Sequence, residues 1–255
     1  MQMNSKNKTI LILSDSHQEI DKLMYILKRE SYDIAVHLGD HFDSFDHNSE
    51  RDVEKTCTFL KEWVVKDNFL TLFGNHDIQY FYINEKVYCS GYYDWKEPII
   101  DKVFGDQKSF YADKFKWYVW IDNFFCSHAG LNIKHFPPYL KINKKNITDW
   151  MDGECRKADI ALNSNQYHWF YRAGMARGGS ARCGGLVWQD FDVEFEPIDG
   201  LAQCLGHSPH NQILPYHLDG TMNYEECKDL DIDCHLNQYL LISNGKLKIK
   251  SYKDL

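Results

Sequence analysis

Thr9-Ile10-Leu11-Ile12-Leu13-Ser14-Asp15-Ser16-His17 is the stretch that decides the fold. Five β-branched or leucine residues in a row read as a strand buried on both faces, and the run stops at a carboxylate followed two positions later by an imidazole. The same grammar returns twice. Residues 34–38 form the next strand, apolar but for His37 and stopped by Gly39-Asp40, and residues 69–73 form a third, apolar but for Thr71 and stopped by Gly74-Asn75. Between these runs, residues 19–30 place Ile20, Leu23, Met24 and Leu27 on one helical face, and residues 51–66 place Cys57, Leu60 and Val64 on another. Strand, helix, strand, helix, strand at this spacing implies parallel strands with right-handed crossovers. Ligands in such sheets collect beyond the carboxyl ends of the strands, where Asp15, Asp40 and Asn75 fall.

The second half repeats the pattern more loosely. Residues 117–121 and 124–127 read as strands joined through Asp122-Asn123, and the second runs into His128. Residues 202–205 end in Gly206-His207, and residues 239–249 contain a hairpin whose Asn244-Gly245 suits a type I′ turn. These strands suggest another sheet packed on the first, within one domain spanning residues 1–255. Two long, partly periodic stretches interrupt it at about 80–116 and 131–185, the latter with a helix around residues 147–157. Insertions between site-bearing strands often form the rim of a pocket, so they are expected to decide substrate choice.

Composition narrows the function classes. A net charge of -8 argues against a binder of long nucleic acids, which are held chiefly by clustered Lys and Arg. The eight cysteines are scattered without a CxxC pair, which fits reduced thiols and a cytoplasmic setting, and no apolar run is long enough for a signal or membrane segment. No cysteine lies in a phosphate-cradling loop at a strand end with an arginine five residues on, so thiol-based phosphate chemistry is set aside.

Asp15-Ser16-His17, Gly39-Asp40-His41-Phe42-Asp43, Gly74-Asn75-His76-Asp77, Ser127-His128-Ala129-Gly130 and Gly206-His207-Ser208-Pro209 each follow an expected strand. Mixed carboxylate, amide and imidazole donors suit Mn, Fe, Zn or Co rather than Ca or a thiolate-selected metal. Each motif alone is weak, but the ordered set of five is specific. It resembles the calcineurin-like metallophosphoesterase superfamily, over about residues 10–207 with the insertions unmatched. Within that superfamily it is most similar to the branch of Ser/Thr protein phosphatases and symmetrical dinucleoside tetraphosphate hydrolases, a likeness that extends to 186–192 and, more faintly, 230–234.

The resemblance implies an α/β fold of two packed mixed sheets flanked by helices. It implies two divalent metal ions, Mn foremost: one on Asp15 and His17, the other on Asn75, His128 and His207, with Asp40 bridging. A hydroxide bridging the metals would attack phosphorus in line. His76 would be the general acid for the leaving group, and Asp43 would orient it. The substrate would be a phosphomonoester, either a phosphoprotein or a small phosphorylated metabolite. The alternative is a nucleotide or dinucleoside polyphosphate, or a phosphodiester. A silent binding scaffold is disfavoured because such chains usually lose ligands and this one keeps them all.

One departure bears on recognition. The protein-phosphatase branch continues Gly-Asp-x-x-Asp with Arg-Gly, whereas Asp43 here is followed by Ser44-Phe45, and no arginine follows Trp188. Phosphate contacts must come from elsewhere, with Arg172, Arg177 and Arg182 of the second insertion, and His41 inside the Gly-Asp loop, as candidates. His37 is read as a hydrogen-bonded core histidine, and His210 as a loop residue whose contact with the site stays open.

Overall fold

The computed structural model describes residues 1–215 and 228–255; Cys227 lies outside them. Two mixed sheets face each other, and helices cover their outer sides. The first sheet is built on β2 (Thr9–Leu13), β3 (Ile34–His37) and β4 (Phe69–Thr71), which run parallel and are joined by α1 (Ile20–Arg29) and α2 (Glu50–Trp63). The second has the order β1 (Gln2–Met3), β5 (Tyr118–Ile121), β6 (Phe124–Ser127), β7 (Ala202–Leu205), β9 (Asp229–Asp231) and β8 (Leu214–Pro215).

The period of two in each strand divides the core. Ile10 and Ile12 of β2, with Val36 of β3, point into the seam between the sheets and meet Val119, Ile121 and Cys204 there. Leu11, Leu13 and Ala35 point the other way, on to Leu23, Ile26 and Leu27 of α1 and Val53, Cys57 and Leu60 of α2. That double burial is why β2 reads as an unbroken apolar run. On the far side, Tyr118 and Trp120 face α6 (Lys144–Asn163), where their polar ends donate to Asp152 at 2.6 Å and Thr148 Oγ1 at 2.9 Å.

Two expectations need correction. The C-terminal hairpin, β10 (Gln238–Ser243) and β11 (Lys246–Ser251), belongs to the first sheet, not the second: β10 pairs antiparallel with β2 in the register Leu241↔Leu11. Alternation identifies a strand but not its partner, and the free flank of β2 takes this one. Its turn is as read, with Asn244 and Gly245 both at positive φ (50° and 72°). The helix expected around residues 147–157 is present but longer at both ends: it starts at Lys144, where Asn143 caps it by accepting the Asn146 N–H at 2.9 Å, and runs on to Asn163. α3 (Asn75–Phe81) leads from the Gly74-Asn75 turn into the first insertion, which folds into α4 (Glu97–Phe104) and α5 (Lys108–Ala112) with short 3₁₀ turns between. Among the described residues no helix is long and apolar enough to cross a membrane, and their seven cysteines are free.

Candidate metal centre

The carboxyl ends of β2, β3, β4, β6 and β7 open on one pocket of about 620 Å³. Reaching it demands sharp turns. Asp15, His17, Asp40, Asp43 and His207 all sit at positive φ, between 39° and 76°, a region that side-chain-bearing residues rarely occupy and that clusters at functional sites. Gly39 and Gly74 let two of these turns touch: a Cβ on Gly39 would strike the Gly74 backbone, and one on Gly74 would strike the Asp40 carboxylate. Asp77, whose part in this was not anticipated, ties the turns together by accepting the N–H groups of Asp40 (2.8 Å), His41 (2.9 Å) and Gly74 (3.0 Å).

The six expected ligands converge. Asp15, His17 and Asp40 offer donor atoms within 4.8 Å of one another, and so do Asp40, His128 and His207, so Asp40 stands in both groups. Asp40 Oδ2 lies 3.7 Å from His17 Nε2 and 3.3 Å from His128 Nε2. The imidazoles are presented for ligation. His128 Nδ1 is fixed on the Leu38 carbonyl at 3.0 Å, and His17 Nδ1 on the carbonyls of Phe42 and Asp43 at 3.0 Å each, which leaves Nε2 of both rings toward the cluster.

The donor set fits metal ions on two further counts. The Asn75 side-chain oxygen faces only acceptors: His128 Nε2 at 3.1 Å, His207 Nδ1 at 2.9 Å, the Val187 carbonyl at 3.1 Å and Asp40 Oδ2 at 3.3 Å. Without a cation at that point the amide would gain by turning its NH₂ inward; with one, the oxygen belongs there. The carboxylates are also crowded out of water. Burial, with Asp40 adding to it and His128 opposing, pushes Asp15 up to about 6, and burial beside Asp15 pushes Asp233 up to about 7. Burial draws His128 down, yet Asp40 and Asp15 outweigh it and raise it to about 9, so a metal ion held there would take the place of a proton.

His76 and Asp43 meet beside this cluster, with Nδ1 to Oδ2 at 3.0 Å. Burial lowers His76, but the charges of Asp40 and Cys89 and the Asp43 hydrogen bond outweigh it and hold the ring well above the usual histidine range. Asp43 is itself heavily bound. Lys96 Nζ donates to it at 2.6 Å, Gln79 and Tyr80 donate to the same carboxylate, and its own N–H donates to Gln18 at 2.9 Å. Lys96 is completely buried. Nothing in Trp95-Lys96-Glu97-Pro98 distinguishes it from a surface lysine before a helix.

The proposed substrate contacts divide. His41 does not reach the pocket: it is fully buried, stacked on His37 at 4.0 Å and bonded through Nε2 to Thr71 at 2.7 Å. The positive-φ residues flanking it, Asp40 and Asp43, turn toward the site while His41 faces the core. Arg172 and Arg182 lie on adjoining surface hollows. Arg177 alone of the three lines the main pocket, paired with Asp190 at 2.9 Å and donating to Ser208 Oγ at 3.0 Å. His210 stands outside it, its N–H on the Asp233 carbonyl at 2.9 Å, and His37 Nδ1 accepts the Gly39 N–H at 3.2 Å.

A family model described as calcineurin-like phosphoesterase matches residues 8–237. The chain belongs to that family. This phosphoesterase is therefore a hydrolase, of a family that binds paired divalent metals. Its fold is shared with a cold-active protein-tyrosine phosphatase of a psychrophilic Shewanella species (TM-score 0.60, 13% identity, covering 100% of this chain and 80% of that one). It is also shared with a protein serine/threonine phosphatase from Saccharomyces cerevisiae (TM-score 0.59, 12% identity, 98% and 82%). No curated protein sequence matches the chain.

Proposed function

We propose that this phosphoesterase hydrolyses phosphomonoesters, carried by a phosphoprotein or a small phosphorylated metabolite, with two divalent ions, manganese foremost. The observation that supports this reading is the sharing of Asp40 between two ligand groups, with a buried His76–Asp43 pair on the same pocket. Asp15, His17 and Asp40 would hold one ion, and Asp40, Asn75, His128 and His207 the other. Oxygen and imidazole donors without thiolate favour manganese or a similar ion. Two such ions supply Lewis-acid polarisation of the phosphoryl group and a deprotonated water at neutral pH.

The chain's own residues do the rest. His76, whose Nδ1 is engaged by Asp43, carries the transferable proton on Nε2 and gives it to the departing ester oxygen. Asp43 fixes the ring and compensates its charge. Arg177, already held by Asp190 and Ser208, holds the phosphate in the place of the arginine absent after Asp43.

The test is a hydrolysis panel on manganese-loaded protein: an aryl phosphomonoester, a phosphopeptide, an aryl phosphodiester and a dinucleoside tetraphosphate, with Asp40→Asn as control. Faster turnover of the two monoesters supports the reading. Preference for the diester or the dinucleotide overturns it.

A further inference from the structure

The pocket over the metal cluster does not end at its wall. Tyr88, Ala173, Gly179 and Trp188 line both it and a second hollow of about 400 Å³, so the two hollows adjoin and are read as one groove. The second hollow also carries Lys86 and Arg172, both exposed. They come from different insertions, locked together by a buried side chain: Asn84 accepts the Lys86 N–H at 2.9 Å while its NH₂ donates to the carbonyls of Ala161, Leu162 and Gln166 at 3.3–3.4 Å.

We infer that this second hollow is a subsite for an acidic residue flanking the phosphorylated residue of a peptide substrate, recognised by Lys86 and Arg172. The inference rests on the phosphomonoesterase reading of the metal cluster and names its substrate class.

Three observations carry it. First, neither Lys86 nor Arg172 has a carboxylate partner among the described residues, although acidic groups outnumber basic ones by 37 to 29 and many other surface lysines are paired: Lys102 with Glu54, Lys108 with Asp101, Lys134 with Glu196. Lys86 Nζ lies only over the Tyr167 ring, 5.4 Å from its centre. Two unpartnered cations in one hollow of an acidic protein complement an anion.

Second, the order of chemistry along the groove is cluster, neutral wall, cations. The next phosphate of a polyphosphate would lie beside the scissile one, close to the metals and Arg177, and a sugar and base would offer Lys86 and Arg172 no charge. A peptide passing Tyr88 and Trp188 places neutral backbone there and an acidic side chain beyond. Third, the rim is aromatic and exposed, with Phe45 78% and Tyr167 65% accessible, the composition of a surface that meets protein.

The experiment measures kcat/KM for phosphopeptides identical except for Asp, Asn or Lys on both sides of the phosphorylated residue. Wild-type protein should rank them Asp, Asn, Lys, with about tenfold between the extremes, narrowing as salt rises. In Lys86→Glu/Arg172→Glu the order should reverse, whereas Lys102→Glu, a charge reversal away from the groove, should keep it. A flat ranking in wild type, or a ranking that survives the double reversal, overturns the inference. Failure of the metal reading is separable: it appears as no turnover of an aryl phosphomonoester by wild type. Fluorescence anisotropy of labelled Asp- and Asn-flanked phosphopeptides then decides the subsite without turnover, equal affinity for the two contradicting it.

Discussion

The pocket has two unlike walls. One is made of strand tips, where the ligand side chains are almost wholly buried apart from a partly exposed His17, aimed by left-handed turns and by imidazole-to-carbonyl bonds. The other is made by the insertions, where Tyr88 lines the pocket and Lys86 and Arg172 line the hollow next to it, all three exposed and placed by helix-to-loop contacts such as that of Asn84 with the end of α6. Chemistry common to a family is fixed by backbone geometry at a sheet edge; under the proposed function, the choice of substrate falls to chain that the sheet does not constrain. The walls touch at Asp43, which belongs to the strand-tip wall yet is paired with Lys96 of the first insertion.

The comparison breaks first at Asp40. Asp40→Asn weakens both ligand groups together, so kcat/KM should fall by about 10⁴ or more with loss of bound metal, measured by steady-state kinetics and elemental analysis. His76→Ala tests the same wall beyond its ligands: metal should stay while kcat drops by about 10²–10⁴, and equal metal loss in both variants would refute the role given to His76. Lys96→Met tests the join. Removing one partner of a buried ion pair leaves Asp43 with His76 alone to balance its charge, and denaturant titration should show a loss of up to about 3–5 kcal/mol with lowered kcat. Unchanged stability would mean that the insertion is anchored elsewhere. Arg177→Ala should have the smallest effect, raising KM about tenfold on a monoester with kcat little altered. A fall in kcat alone would place Arg177 in the chemistry rather than in binding.

How much of this was legible follows the same division. Asp15, Asp40, Asn75, His128 and His207 stand out in the sequence because each follows an apolar run that can only be a buried strand, and strand ends on one sheet edge are neighbours. The hairpin at residues 239–249 was legible as a hairpin, but its place beside β2 was not, since an apolar strand carries no label for its partner. His41 looked like a pocket residue because it lies between Asp40 and Asp43; only the left-handed turns flanking it show that it faces Thr71. Lys96 was invisible, since burial of a lysine depends on where a distant carboxylate comes to rest. Arg177 could be shortlisted beside Arg172 and Arg182 but not preferred, because the path of residues 131–185 sets which of the three lines the main pocket.

The most direct measurement is the number of manganese ions bound per chain, by titration calorimetry with elemental analysis, in wild type, His76→Ala and Asp40→Asn. A shared Asp40 requires two ions in wild type and in His76→Ala, and fewer than two in Asp40→Asn. One ion in wild type, or two retained by Asp40→Asn, would contradict it.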